Sequence, residues 1–357
     1  MLEPGSSSSV LLLLNWRKGY LNCFFMARLI RIAVVGATGY AGAELVRLLA
    51  SHPNASVVTV TSGRKAGKLL REECPWLSSE LVLTEFDPET LEADYVFLCQ
   101  DAGFAMQHAE TLLRRSKVID LSADFRLRDP EEYLAYYGKP FTGNRLNPVY
   151  GLPELVDRDE IAKATLVANP GCYPTGTLLS LMPLIEAGLV DGVPVVDAKS
   201  GVSGAGRSKQ DTDYLFSELD GGFKAYATVG HRHTPEIEQM VGRAVRFTPH
   251  LIPTARGLHV TAHVPLSKSV DLTSLYADFY AGMPFVTVQD SPPSIKQVVG
   301  SNRCAISASY DDRTGYAVLC SVIDNLIKGA AGQAIQNMNI MAGLSEETGL
   351  PLNGVWP

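Results

Sequence analysis

The apolar run Ile30 to Val35 leads into the turn Gly36-Ala37-Thr38-Gly39-Tyr40-Ala41-Gly42, then a helical stretch from Glu44 to Ala50 and a β-branched run from Val57 to Thr61. Strand, glycine turn, helix and strand in that order make a βαβ unit, whose parallel strands must be covered on both faces. Further apolar runs at Tyr95 to Leu98 and Val118 to Leu121, with a helix-like stretch from Phe104 to Arg114 between them, continue the alternation. A doubly wound parallel sheet of Rossmann type is predicted.

The glycine turn also suggests a ligand. Gly36, Gly39 and Gly42, with Thr38, Tyr40 and Ala41 between them, sit where backbone N–H groups can meet a pyrophosphate at a helix N-terminus. The spacing is G-x-x-G-x-x-G rather than G-x-G-x-x-G, so tight packing of helix on strand is the competing reason for the glycines. After the second strand, where an NAD-selective protein places an acid, stands Thr61-Ser62-Gly63-Arg64-Lys65. A hydroxyl such as that of Ser62, the Arg64 guanidinium and the Lys65 ammonium suit a 2′-phosphate, which favours NADP(H) over NAD; a solvated basic turn is the alternative.

Beyond Cys172 the pattern changes. A helix-like segment reaches Glu186, and strands are predicted near Val193 to Asp197, Phe247 to Ile252, His259 to Val264, Ala305 to Tyr310 and Ala317 to Ser321. This is an α+β arrangement on a mostly antiparallel sheet. A last helical pattern, Asp324 to Ala342, carries small residues, among them Gly329 and Gly332, and is expected to return to the first domain. The 357 residues suffice for two domains. The expected division is an NADP-binding domain over 28–170 and 324–357, and a catalytic, substrate and oligomerisation domain over 171–323. Residues 1–27 are expected to be a disordered extension or an over-called start, because five apolar residues followed by Trp16, Arg17 and Lys18 make neither a signal peptide nor a membrane span.

Charge and cysteine usage exclude other classes. Lys and Arg number 31 against 38 Asp and Glu, a net charge of −7 that repels a phosphate backbone, so neither nucleic acid nor membrane is an expected partner. Cys23, Cys74, Cys99, Cys172, Cys304 and Cys320 form no C-x-x-C pair and no zinc spacing. No metal is expected, and reduced thiols point to the cytoplasm.

Two clusters carry chemistry. In Ala168-Asn169-Pro170-Gly171-Cys172-Tyr173-Pro174-Thr175, Cys172 follows a strand and opens a helix, whose N-terminus favours a thiolate; a buried inert thiol is the competing reading. In Gly230-His231-Arg232-His233-Thr234-Pro235-Glu236, Thr234 reads as an N-cap and Pro235 as the first helical residue. His231 and His233, two apart in an extended segment, would face one side and could serve as acid and base. A metal pair lacks a third ligand by spacing, and hydrogen-bonded structural histidines remain open. Arg126, Arg207 and Arg256 lie beside serines, glycines or strand ends and could meet an anion, although solvated arginines are the commoner case.

The motifs G-A-T-G-Y-A-G, N-P-G-C-Y-P-T, S-G-V-S-G-A-G-R, H-R-H-T-P-E-I and D-N-L-I-K-G-A-A-G-Q-A occur in this order. Over residues 28–357 the chain resembles the N-acetyl-gamma-glutamyl-phosphate reductases, relatives of the aspartate-semialdehyde dehydrogenases. The resemblance implies NADPH-dependent reduction of an acyl phosphate to an aldehyde in arginine biosynthesis, through a Cys172 thioester. It further implies that His231 or His233 moves the proton, with Glu236 orienting one of them. Arg126 would bind phosphate, with Arg207 and Arg256 as further substrate cations, and Asn169 would align the carbonyl. Ser203 and Gly204 would lie along the nicotinamide and Asn325 would touch its carboxamide. A homo-oligomer, dimer or tetramer, is implied as well. The rivals are an aspartate-semialdehyde dehydrogenase, a lysine-pathway amino-adipyl-phosphate reductase, and a non-catalytic NADP sensor.

Overall fold

The computed structural model describes residues 28–143, 145–209 and 211–355, so the expectation for residues 1–27 lies outside the described residues. The first sheet is made of β1 (Ile30–Val35), β2 (Ala55–Thr61), β3 (Leu83–Thr84), β4 (Tyr95–Leu98), β5 (Lys117–Asp120), β6 (Val149–Tyr150) and β7 (Leu166–Ala168). All its pairings are parallel, in the order β3-β2-β1-β4-β5-β7-β6. Strand order reverses between β1 and β4, where sheets of this kind open a crevice at the carboxyl ends of their strands.

The period-two alternation of β1 sorts its side chains between two cores. Ile32 and Val34 join the core that holds Leu45, Val46 and Leu49 of α1 (Tyr40–Leu49), whereas Ala33 and Val35 join another core. The next helices are α2 (Leu70–Glu73), α3 (Phe104–Leu112), α4 (Pro130–Tyr137) and α5 (Arg158–Lys163). Ala105, Ala109 and Leu112 of α3 belong to that other core. β3, β6 and β7, two or three residues each, are too short to show periodicity in the sequence.

Then come α6 (Cys172–Glu186), α7 (Phe216–Leu219), α8 (Thr234–Val241) and α9 (Leu272–Phe279), interspersed with β8 (Val195–Gly201), β9 (Lys224–Ala225), β10 (Arg246–Ile252), β11 (Leu258–Pro265), β12 (Val286–Val288), β13 (Cys304–Asp311) and β14 (Tyr316–Ile323). These strands form a mixed sheet, β12-β13-β14-β11-β8-β10-β9, in which only β12 with β13 and β8 with β10 pair parallel. Val260, Ala262 and Val264 alternate inward from β11 onto Leu178, Leu181 and Leu184 of α6. Ser321 Oγ donates to Gly176 O at 2.8 Å and seats α6 on β14.

The continuous helix expected over Asp324 to Ala342 is corrected. Asp324 Oδ1 accepts from the N–H groups of Leu326 and Ile327, a π-helical turn occupies Ile327–Ala331, and only then does α10 (Gly332–Met341) run. Ala334, Ile335 and Met338 pack into the first sheet's core.

Candidate active site

A cleft of about 880 Å³ opens along the carboxyl ends of the first sheet and ends at the start of α6. Its glycines divide the work. Gly36 has φ +89°, and a Cβ there would fall 2.6 Å from Cys99 O; a Cβ on Gly42 would fall 2.3 Å from Gly36 O. Both are needed for close packing. At Gly39, the N-cap of α1, the nearest neighbour of such a Cβ is 3.5 Å away, so this glycine leaves room at the helix N-terminus, where the first N–H groups lack intrahelical partners. Thr38, Tyr40 and Ala41 line the cleft beside it.

After β2, Ser62 and Thr38 share a hydroxyl hydrogen bond of 3.1 Å. Lys65 is already ion-paired to Glu73, whose carboxyl Lys65 and Lys68 hold at about 2. Arg64 lines the cleft and makes no hydrogen bond or ion pair among the described residues.

At the other end, Gly171 is the N-cap of α6 and Cys172 its first residue. A Cβ on Gly171 would lie 2.6 Å from His233 Nε2 and 3.0 Å from Arg126 Nη1, so only glycine lets both groups approach the turn into Cys172. The turn is fixed from behind. Gly171 N–H donates to Glu236 Oε1 at 2.9 Å, and the Tyr150 hydroxyl donates to the same oxygen at 2.9 Å. Arg126 Nη1 stands 3.5 Å from Glu236 Oε2, while its Nε donates to Asn169 O and its Nη2 to Leu121 O, both at 2.8 Å. Tyr150, in a two-residue strand, left no sign in the sequence.

The histidine segment is a turn rather than extended. His233 is itself the N-cap residue of α8 and Thr234 is the first helical residue, one position earlier than expected. The chain folds so that His233 N–H donates to His231 Nδ1 at 3.1 Å, with the rings 5.1 Å apart. Only His233 lines the cleft; His231 packs edge-on against Tyr173 and Tyr226. His233 Nδ1 is buried without a partner among the described residues.

Burial governs protonation here. It pushes the Cys172 thiol up to about 11, outweighing the Tyr173 N–H and Arg126, which pull the other way. It also holds His233 well below the usual histidine range, assisted by His231 and Arg126, and His231 at about 4, assisted by Arg232. The free site is therefore a neutral thiol beside a neutral imidazole. The helix start favours the thiolate, as expected from the sequence, and desolvation opposes it.

Ser203, Gly204 and Asn325 line the middle of the cleft. Asn325 Nδ2 donates to Ser203 Oγ at 2.9 Å, and Asn325 Oδ1 accepts from Gly257 N–H at 2.7 Å. Asn169 is fully buried, its Nδ2 donating to Ala330 O at 3.2 Å and its Oδ1 accepting from Asn337 Nδ2 at 3.2 Å. Arg207 belongs to the dinucleotide end. It donates to Thr38 O at 3.1 Å and Glu73 O at 2.9 Å and stacks over Trp76. Arg256 lines a neighbouring cavity rather than this cleft, and Glu44 at 2.6 Å and Asp324 at 3.3 Å answer its charge. Among the described residues no group of three or more His, Cys, Asp or Glu is placed to hold a metal ion, and no helix is long and apolar enough to cross a membrane.

Comparison with known proteins gives a consistent result. A family model described as semialdehyde dehydrogenase, NAD binding domain, matches residues 31–164, and one described as semialdehyde dehydrogenase, dimerisation domain, matches residues 172–325. The chain is 47% identical over 347 residues to an N-acetyl-gamma-glutamyl-phosphate reductase of Pelotomaculum thermopropionicum, covering 92% of this chain and 99% of that one. It is 48% identical to the protein of the same name from Geotalea daltonii, covering 92% and 100%. Among solved structures, aspartate semialdehyde dehydrogenase II of Vibrio cholerae superposes with a TM-score of 0.67 at 17% identity, over 89% of this chain and 99% of that one. The aspartate semialdehyde dehydrogenase of Candida albicans, solved with NADP, gives 0.67 at 16% identity, over 88% and 98%.

Proposed function

The chain belongs to the N-acetyl-gamma-glutamyl-phosphate reductase family, and on that premise we propose that its cleft reduces N-acetyl-L-glutamyl 5-phosphate to N-acetyl-L-glutamate 5-semialdehyde and phosphate with NADPH. It is an oxidoreductase of arginine biosynthesis that acts on an acyl phosphate. The observation that carries the residue roles is the convergence of Cys172, His233 and Arg126 on Gly171, in the same cleft as the glycine turn.

The cofactor fits the residues present. The opening at Gly39 leaves room for a pyrophosphate at the start of α1, the unengaged Arg64 suits the 2′-phosphate, and Ser203, Gly204 and Asn325 stand between them and the nucleophile. When bound, NADPH supplies one hydride to the acyl carbon.

The protein's own groups manage the thiol and the protons. As Cys172 Sγ bonds to the acyl carbon, His233 takes the thiol proton and keeps it, and cleavage of the carbon–oxygen bond to the phosphoryl group leaves a thioester and phosphate, whose freed oxygen takes its proton from solvent. The substrate's negative charge favours the imidazolium, which offsets the burial that keeps His233 neutral in the free site. After reduction His233 protonates the oxyanion to give a thiohemiacetal. It takes that proton back as the carbon–sulfur bond breaks, returning it to Cys172 and releasing the aldehyde. Arg126, with N–H groups to spare, meets the phosphoryl oxygens. Glu236 and Tyr150 hold the turn and orient that arginine. Asn169, committed to Ala330 and Asn337, holds the turn rather than the carbonyl.

The cores on the first sheet, separate from the core between α6 and the second sheet, support a division into a dinucleotide domain over 28–170 with 324–357 and a catalytic domain over 171–323. The dimerisation-domain match supports a homo-oligomer. The described cysteines are free, in keeping with a reducing cytoplasm. The test is phosphate-dependent reduction of NADP⁺ by N-acetylglutamate 5-semialdehyde, run beside aspartate semialdehyde and beside NAD⁺. Turnover is expected with the acetylated aldehyde and NADP⁺. Turnover with aspartate semialdehyde alone would overturn the substrate.

A further inference from the structure

Against Cys172 packs the π-helical turn Ile327–Ala331, a form that occurs mostly as single turns and often at functional sites. Gly329 N–H donates to Asp324 O and Ala331 N–H to Leu326 O, both at 2.9 Å and both five residues back. A Cβ on Gly329 would fall 2.7 Å from Cys172 Cβ and 3.2 Å from its Cα. The turn is thus the wall behind the nucleophile.

Lys328, one residue earlier, faces the core instead of the cleft. Its side chain and that of Glu154 are both 0% exposed. Lys328 Nζ donates to Glu154 Oε1 at 2.7 Å and to Gln336 Oε1 at 2.8 Å, and lies 5.5 Å from the centre of the Phe285 ring. Such a pair is a poor source of stability, because both charges leave water, and here Glu154 Oε2 has no partner among the described residues. Its better-attested use is to select one arrangement over another. The arrangement at stake is the turn itself. Losing its extra residue would rotate the chain beyond it by about 100°, one residue's share of a helical turn, and would take Gly329 off Cys172.

We propose that Lys328, held by Glu154 and Gln336, is a positioning residue for the reaction: it locks the π turn so that Gly329 backs Cys172 and fixes where its sulfur reaches into the cleft. This rests on Cys172 being the nucleophile.

Lys328→Met alone would strand a buried carboxylate and endanger the fold, so the test is the double variant Lys328→Met with Glu154→Met. It is expected to fold with a thermal midpoint near wild type and to bind NADPH with unchanged Kd. Its kcat should fall about tenfold or more while KM moves little, and the pH profile of Cys172 alkylation by iodoacetamide should shift. A folded double variant with wild-type kcat and alkylation profile overturns the proposal. If that variant does not fold, Gly329→Ala decides, since it leaves the ion pair intact and sets a methyl group hard against Cys172, with Ile323 Cδ1 as its next neighbour at 3.3 Å. Wild-type kcat there overturns the proposal, and a fall in kcat at unchanged NADPH Kd supports it. Cys172→Ser runs alongside. Turnover by that variant would refute the nucleophile itself, whereas a dead Cys172→Ser beside a fully active double variant refutes only the positioning.

Discussion

Cys172 begins a helix, which favours a thiolate, but its burial pushes the thiol up to about 11. In the free enzyme iodoacetamide should therefore react slowly at pH 7 and about tenfold faster per pH unit towards pH 10. A plateau reached by pH 8 would show a preformed thiolate. Arg64 and Lys65 look alike in the sequence and differ in the fold, since Lys65 is paired to Glu73 and Arg64 has no such pair among the described residues. Arg64→Ala should weaken NADPH by about 1.5–3 kcal/mol, roughly ten- to a hundredfold, and leave NADH nearly untouched. Titration with both cofactors checks it, and equal losses would sink the 2′-phosphate role. Cys172, His231, His233 and Glu236 stand out in the sequence because their motifs are local. That His233 alone reaches the cleft was not legible there, because it depends on how the turn into α8 bends.

Among the elements, the βα turn is where packing and binding meet. A methyl group on Gly42 would collide with the backbone at Gly36, and neither side can yield without opening the turn. Gly42→Ala should destabilise the protein by about 1–3 kcal/mol and weaken NADPH binding; denaturant melts with and without NADPH measure both. An unchanged midpoint would mean that the helix shifts on the strand at little cost. The strand β4 announced itself by an apolar run and β11 by alternation of apolar and polar residues. The π turn did not, because Ile327–Ala331 has the composition of a helix and its five-residue hydrogen bonds answer to Asp324 and the buried lysine.

Over the whole molecule, Arg256 ties the two sheets together, reaching from the β10–β11 connection to Glu44 on α1 and to Asp324 after β14. Burial raises the Glu44 carboxyl, yet the hydrogen bonds from Arg256 and Arg47 outweigh it and hold that group below its ordinary 4.5. A carboxyl lowered by folding adds stability above its unfolded value and loses it as the pH falls through the folded one. Arg256→Ala should therefore cost about 1–3 kcal/mol near pH 7, as it takes one cation from two buried carboxylates that keep Arg47 and backbone N–H groups as partners, and the deficit should shrink below about pH 4.5. Thermal melts across that range check the sign; a deficit independent of pH would mean that the arginine acts by packing alone.

By itself the sequence determined the βαβ start, the parallel first sheet, the mostly antiparallel second sheet and the chemical types at the cleft, because periodicity, glycine turns and short motifs act over a few neighbouring residues. The tertiary structure decided which of those groups meet. It placed His233 rather than His231 beside Gly171, sent Arg207 to the glycine turn and Arg256 to Glu44, and set Cys172 where desolvation pushes its thiol up. Those outcomes depend on desolvation and on contacts between residues far apart in the chain, and no local pattern encodes either.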